Sequence, residues 1–170
     1  IGVRLVGSEM CIRDRPKGTM VLDKLSRPLR DLRISVTDKC NFRCRYCMPR
    51  ENFGSDHTFL SKSEILSYEE INRFVLACKP LGLEKVRITG GEPLLRKDIH
   101  KLVKLISGLG IETALTTNGS LLSGQLSKLA RSGLDRVTIS LDAMDQETHS
   151  RITDSTFSVS DILELSLIHI

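Results

Sequence analysis

Residues 32–47 read Leu32-Arg33-Ile34-Ser35-Val36-Thr37-Asp38-Lys39-Cys40-Asn41-Phe42-Arg43-Cys44-Arg45-Tyr46-Cys47. An alternating strand, Leu32 to Val36, runs into a loop that carries Cys40, Cys44 and Cys47 at i, i+4 and i+7, with Tyr46 just before the last. Three thiolates packed this closely can converge on one inorganic centre. They are too few to close a four-ligand zinc site or to cap every corner of an iron–sulfur cube. A cluster with one uncapped iron keeps a position for a substrate or cofactor. On spacing alone, a zinc module whose fourth ligand lies elsewhere also fits.

Outward from this loop, a unit of strand, loop and helix repeats four times. Ser67-x-x-Glu70 is a capping box that opens a helix with Ile71, Phe74, Val75 and Cys78 at helical spacing, closed by Gly82. A second strand, Lys85 to Thr89, leads into Gly90-Gly91-Glu92-Pro93, and Asp98 starts a helix bearing Ile99, Leu102, Val103 and Ile106 on one face. The third strand, Glu112 to Thr116, ends in Thr117-Asn118-Gly119; a short helix with Leu126, Leu129 and Ala130 stops at Gly133. The fourth strand, Arg136 to Leu141, precedes a helical segment around Gln146 to Ile152. Strands and helices alternating at this length predict a parallel sheet with right-handed crossovers. The fold class is α/β, and four βα units make half of a barrel or a small open sheet.

The strand faces discriminate between these. A parallel strand covered on both sides reads as a continuous apolar run, but these strands alternate. Ile34 and Val36, Val86 and Ile88, Val137 and Ile139 can face helices; Arg33, Ser35, Arg87, Thr89, Thr116, Thr138 and Ser140 fall on the other face. Burying that face in a packed core costs a few kcal/mol for each unpaired polar group. A polar lumen that holds a ligand accounts for it. An open sheet with one solvated face accounts for the threonines but not for two arginines on one side.

The 170 residues suffice for one domain or part of a larger one, with 40% hydrophobic and 27% charged residues, as in ordinary globular proteins. A net charge of +4 suits an anionic substrate. With five Phe, two Tyr and no Trp, there is no run of stacking aromatics to suggest nucleic acid. Five cysteines, three of them bunched, argue against a secreted disulfide framework; Cys78 reads as a small core residue. No stretch approaches a membrane span or an uninterrupted signal core, so a cytoplasmic protein is expected. Ile1 to Arg15 shows neither period and resembles translated sequencing-adapter sequence, with Cys11 inside it; Leu165 to Ile170 resembles a matching end. The boundaries expected are therefore a foreign or disordered leader over 1–19, a domain over 20–164 and a foreign or truncated tail over 165–170.

As candidate ligand contacts, Gly90 and Gly91 let backbone approach a bound molecule closely, and Glu92 can accept hydrogen bonds from an ammonium. Each has a plainer alternative: the Gly-Gly-Glu-Pro run as a turn, Arg33 or Arg87 paired with a carboxylate such as Glu92. Thr116 and Ser140 can simply bond to backbone, Tyr46 can simply pack, and Asn118-Gly119 reads as the turn after a strand.

The cysteine spacing and Gly90-Gly91-Glu92-Pro93 resemble the radical S-adenosylmethionine (SAM) enzymes. Arg30 to Cys40, Cys47-Met48-Pro49, Arg87 to Arg96 and Thr116 to Gly119 together resemble the GTP 3′,8-cyclase family of molybdenum cofactor biosynthesis, over about Met20 to Leu163 and its amino-terminal half. The resemblance implies an incomplete TIM-type (βα) barrel of the radical SAM kind. It implies that Cys40, Cys44 and Cys47 hold a 4Fe–4S cluster whose open iron chelates SAM. Tyr46, Gly91 and Ser140 would contact SAM; Arg33, Arg87 and Thr116 would contact GTP. The implied reaction is reductive cleavage of SAM to a 5′-deoxyadenosyl radical and cyclisation of GTP to (8S)-3′,8-cyclo-7,8-dihydroguanosine 5′-triphosphate. An electron donor and, for the full-length family, a homodimer are implied partners. The family's second, carboxyl-terminal 4Fe–4S cluster has no counterpart in this sequence, so the chain alone is expected to be inactive. Another radical SAM enzyme, such as a peptide-modifying one, and an inactive zinc-binding fragment are the alternatives.

Overall fold

The computed structural model describes residues 21–168. The expected leader over 1–19, Cys11 included, and the last two residues of the expected tail lie outside the described residues. Four strands form one parallel sheet in the order β1-β2-β3-β4: β1 Asp31–Ser35, β2 Lys85–Thr89, β3 Glu112–Thr117 and β4 Arg136–Ile139. Helices α1 Tyr68–Cys78, α2 Ile99–Ser107, α3 Leu126–Arg131, α4 Gln146–Thr153 and α5 Val159–Ile168 alternate with or follow them. Strand order equal to chain order is what consecutive crossovers of one hand produce in a growing barrel. The fold is the expected α/β partial barrel.

Local sequence sets the helix boundaries. Ser67 accepts the amide of Glu70, and the Glu70 carboxylate accepts the amide of Ser67 at 2.7 Å, so the capping box forms. Cys78 is buried as expected. Phe74, expected on the apolar face, is 53% exposed, because Ile71, Val75 and Cys78 already fill that stripe. Helix α2 presents Ile99, Leu102, Val103 and Ile106, all fully buried, to a core shared with Val86, Ile88 and Leu115 of the sheet. Helix α5 continues through Leu165, which is buried in the same core.

The other sheet face is polar and layered. Register places Arg33 beside Arg87, Arg87 beside Ala114, and Ala114 beside Arg136. One layer higher, Ser35 lies beside Thr89 and Thr116 beside Thr138. Arg33, Ser35, Thr138 and Ser140 are exposed, so no packed layer covers this face among the described residues. Since the α2 stripe joins helix to sheet, Leu102→Ala should cost about 2–5 kcal/mol. Urea unfolding followed by circular dichroism reads that loss as a lower midpoint with an unchanged slope.

Candidate cofactor and substrate site

The cysteine loop leaves the carboxyl end of β1 and is fixed first by the exit of β2. The amide of Gly91 donates to the carbonyl of Thr37, and that of Glu92 to the carbonyl of Lys39, each at 2.8 Å. A Cβ on Gly90 would stand 2.7 Å from the Thr37 oxygen, and one on Gly91 2.3 Å from the Lys39 oxygen. These glycines thus let the chain approach itself closely. Any larger residue would push the cysteine loop off the sheet.

Glu92 also has partners that the sequence did not reveal. Its carboxylate is 1% exposed. Oε1 accepts the amide of Leu94 at 3.0 Å and the Thr117 hydroxyl at 2.8 Å, and Oε2 accepts the amide of Asn118 at 2.8 Å. Neither Arg33 nor Arg87 pairs with it. Burial pushes its pKa above the ordinary value, against the pull of those donors. Asn118, set aside in the sequence as a turn residue, then joins the loop: its Nδ2 donates to Oδ1 of Asn41 at 3.0 Å, and Asn41 Nδ2 donates to the Ser120 hydroxyl at 2.9 Å. The only sequence signal for this was an Asn directly after a strand that ends beside a cysteine loop.

The opposite flank rests on α4. The last carbonyls of a helix lack partners within it; here Thr153 and Ile152 receive the amides of Arg43 and Arg45 at 3.1 and 3.0 Å. The Arg43 guanidinium folds inward onto the carbonyls of Cys40, Phe42 and Phe53. Phe42 is buried, with its ring 6.3 Å from that of Phe157. Every long side chain between Cys40 and Cys44 is therefore committed to shaping the loop.

Cys40 is half-buried, Cys44 buried and Cys47 exposed, and all three are free thiols. The Cys40 Sγ accepts the amide of Phe42 at 3.4 Å. Burial pushes the Cys40 thiol up; the Cys44 thiol is pushed up to about 12, by burial first and then by Cys47, Asp142 and Cys40. Thiols that oppose one another's ionisation on one loop suit a shared cationic centre, which would reverse the sign of each of those interactions. Among the described residues no group of three or more His, Cys, Asp and Glu side chains is arranged to hold a single metal ion. A multi-iron cluster is larger than one ion and asks for wider spacing. Tyr46 is 67% exposed, and its hydroxyl donates to Asp142 Oδ1 at 3.0 Å; burial of the hydroxyl and that bond raise its pKa.

The strand residues expected to contact substrate share the polar face just below. Arg33 Nη2 stands 3.4 Å from the Thr89 hydroxyl, and Arg87 Nη2 stands 3.8 Å from Asp31 at the foot of β1. Thr116 Oγ1 is buried without a partner. Ser140 extends the β4 ladder, its amide donating to the Thr117 carbonyl at 2.9 Å. Arg136, missed in the sequence, shares the Arg33–Arg87 layer and lies 3.3 Å from Glu112, which also draws Lys85.

A parallel partial barrel with three thiols at the exit of its first strand, over a polar strand face, is an α/β architecture with room for a cofactor at its carboxyl end. Residues 34–166 match the radical SAM superfamily, and the chain belongs to that superfamily. It is 52% identical over 145 residues to a GTP 3′,8-cyclase of Acidothermus cellulolyticus, covering 84% of this chain and 40% of that protein. It is 51% identical over 147 residues to a GTP 3′,8-cyclase of Staphylococcus epidermidis, covering 85% of this chain and 43% of that protein. The chain thus spans about two fifths of the length of these relatives. Among solved structures, Streptococcus suis SuiB bound to S-adenosylmethionine superimposes with a TM-score of 0.65 at 22% identity, over 81% of this chain and 30% of that one; this likeness concerns the fold.

Because all three donors to Glu92 require an acceptor, Glu92→Gln turns an amide N–H toward one of them. It should cost about 1–3 kcal/mol although it removes a buried charge. Asn118→Ala should loosen the cysteine loop with a smaller loss. Hydrogen exchange at the Asn41 and Arg43 amides, alongside chemical denaturation, separates the two effects.

Proposed function

We propose that this chain forms the SAM- and cluster-binding part of a GTP 3′,8-cyclase. Cys40, Cys44 and Cys47 would hold a 4Fe–4S cluster, which supplies the electron for reductive cleavage of bound SAM; the radical formed from SAM then starts the closure of GTP to its 3′,8-cyclo product. The observation that carries this reading is the meeting of three features at one end of the sheet. These are the thiol loop, the Gly90-Gly91 turn and a strand face with two arginines and an unpartnered threonine hydroxyl. Identity near 50% to two cyclases adds the substrate.

In this reading Tyr46, Gly91 and Ser140 line the SAM side. The Tyr46 hydroxyl is held by Asp142, and Gly91 sits on the seam that carries the cysteine loop. Arg33, Arg87 and Thr116 take GTP. A guanidinium can grip two phosphate oxygens at once. Neither arginine is spent on a close carboxylate, since the nearest pair, Arg87 with Asp31, is 3.8 Å apart and half-exposed. Mounting these side chains on strands rather than loops limits misplacement of the reacting atoms. The rest of the protein's activity, an electron donor and a homodimer belong to the same proposal.

Anaerobic iron and sulfide reconstitution tests the metal assignment. The protein should turn brown, and Cys44→Ala should stay colourless; a colourless wild-type protein that holds zinc overturns the reading. The thiols of Cys40 and Cys44 carry raised pKa values, so they are protonated at neutral pH and metal binding must expel those protons. Cluster assembly should therefore improve as pH rises from about 7 to 9, read as absorbance per protein.

Thr116 separates stability from binding. A buried hydroxyl without a partner costs about 1–3 kcal/mol. Thr116→Val should therefore raise the melting temperature while weakening GTP retention. Arg33→Ala or Arg87→Ala should weaken retention by about 1.5–3 kcal/mol each, as for a charged hydrogen bond. Equilibrium dialysis with labelled GTP measures all three, and unchanged retention in all of them removes GTP from this face.

A further inference from the structure

The amino-terminal layers of the polar strand face carry more positive charge than the fold needs. Strand alternation puts the cations Arg33, Lys85, Arg87 and Arg136 on that face, against the carboxylates Asp31 and Glu112. Register sets three of the cations in a row across the sheet: Arg33 beside Arg87, then the methyl group of Ala114, then Arg136. Neighbouring strands lie about 4.8 Å apart, so the row runs roughly 14 Å from β1 to β4. Like charges directly opposite on adjacent strands destabilise a sheet, and Arg33 and Arg87 are such a pair.

The carboxylates compensate this charge loosely. Arg87 Nη2 is 3.8 Å from Asp31 Oδ2. A single oxygen of Glu112, Oε1, draws both Lys85 Nζ and Arg136 Nη2 to 3.3 Å. Neither donor is aimed at it, for Oε1 is buried and accepts no hydrogen bond. Arg136 stands on β4, the edge strand after β3, and its side chain is 62% exposed. Its guanidinium makes no hydrogen bond among the described residues, so charge alone holds it over the face and its planar fork of donors is unused. One layer above, the Thr116 hydroxyl is buried without a partner.

We propose that Arg136 is a third phosphate-binding residue on this face, and that Glu112 is its built-in counter-ion, a carboxylate that yields the guanidinium to a phosphate oxygen when a polyphosphate binds. The proposal rests on the reading of this face as the GTP side and extends its anion site from β2 to β4. A single phosphate asks for cations that converge on one point, whereas a row of guanidiniums spread over the sheet suits a chain of phosphates. With no aromatic side chain among these strand residues for bases to stack on, the polyphosphate of a small molecule fits better than a nucleic-acid strand. While the face is empty, Glu112 limits the repulsion between Lys85 and Arg136.

Inorganic tripolyphosphate tests the anion site apart from base and ribose. In calorimetric titrations Arg136→Ala should weaken tripolyphosphate and GTP about tenfold, as for one charged hydrogen bond, with GMP, which has one phosphate, affected less. Arg136→Lys, which keeps the charge and loses the fork, should fall between wild type and Arg136→Ala. Glu112→Gln should move stability and affinity in opposite directions. Its melting temperature should drop, since Lys85 and Arg136 lose their counter-ion, while tripolyphosphate binds about threefold more tightly; a Glu112→Gln protein that is less stable and also binds more weakly overturns the counter-ion role. In the wild-type protein, tripolyphosphate should slow phenylglyoxal modification of Arg136 but not of Arg131, exposed at the end of α3, as read by peptide mass spectrometry. Wild-type tripolyphosphate affinity in Arg136→Ala, alongside losses in Arg33→Ala and Arg87→Ala, overturns the proposal and leaves the GTP reading standing. Labelling of Arg136 that ignores tripolyphosphate overturns it as well, with no variant needed. Unchanged binding in all three arginine variants is a separate outcome, in which the GTP reading of the face falls too.

Discussion

One contact governs the geometry of the site: the backbone of Gly90 and Gly91 lying directly on the backbone of Thr37 and Lys39. Two strand exits are pressed so close that a single methyl group would stand 2.3 Å from a carbonyl oxygen. Two hydrogen bonds hold them there. Real Cβ atoms do not tolerate that distance, so the contact has no substitute among residues with side chains. Everything beyond it, including the positions of three thiols, is carried on this seam. The buried Glu92 carboxylate extends the same seam sideways to β3, taking one hydroxyl and two amides that a neutral residue could not all accept. A charge buried at this depth persists only when its partners are in place, so the carboxylate acts as a test of correct assembly.

The two sheet faces divide labour. The helix-facing side closes on itself: Val86, Ile88, Leu115 and the α2 stripe are fully buried, and this apolar burial supplies the stability. The other face leaves business unfinished. Thr116 Oγ1 has no partner, Arg33 reaches only a hydroxyl at 3.4 Å, and Glu112 is shared between Lys85 and Arg136. Groups left in that state cost stability wherever water is excluded, and such costs gather at functional sites. A polar face of this kind, next to a loop of mutually opposed thiols, is the pattern of a surface completed by ligands.

The sequence made the fold legible because period and punctuation agreed. Alternation in β1, β2 and β4 named the polar face, and the capping box at Ser67 opened α1 where the structure opens it. The cysteine spacing located the loop. What it hid were contacts between residues far apart in the chain. Nothing local reveals that a glycine admits another strand's carbonyl, so the contact of Gly91 with Lys39 was not legible in the sequence. The donors to Glu92 were hidden because they lie at Leu94, Thr117 and Asn118, the last two brought in only by strand pairing. Asn118 passed for a turn residue for the same reason, and Arg136 escaped because its layer is defined by register, which one strand does not reveal. Phe74 failed in the opposite direction: it has the right spacing for the α1 stripe, but three neighbours had already filled the available surface.

The loop itself is held by its frame rather than by its sulfurs. Asn41 is tied to β3, Arg43 and Arg45 cap α4, and the Arg43 guanidinium is folded under the chain. None of these bonds involves a metal. Burial first, and then Cys47, Asp142 and Cys40, meanwhile raise the cost of ionising Cys44. A loop prepared by its surroundings but repelled at its centre gains most from a cation placed there, because the ordering entropy has already been met by the frame. Were the loop to hold a metal, bonds to Asn41, Arg43 and Glu92 would set its affinity as much as the cysteines. Sequence motifs that list the three cysteines alone therefore name candidate ligands without the structure that positions them.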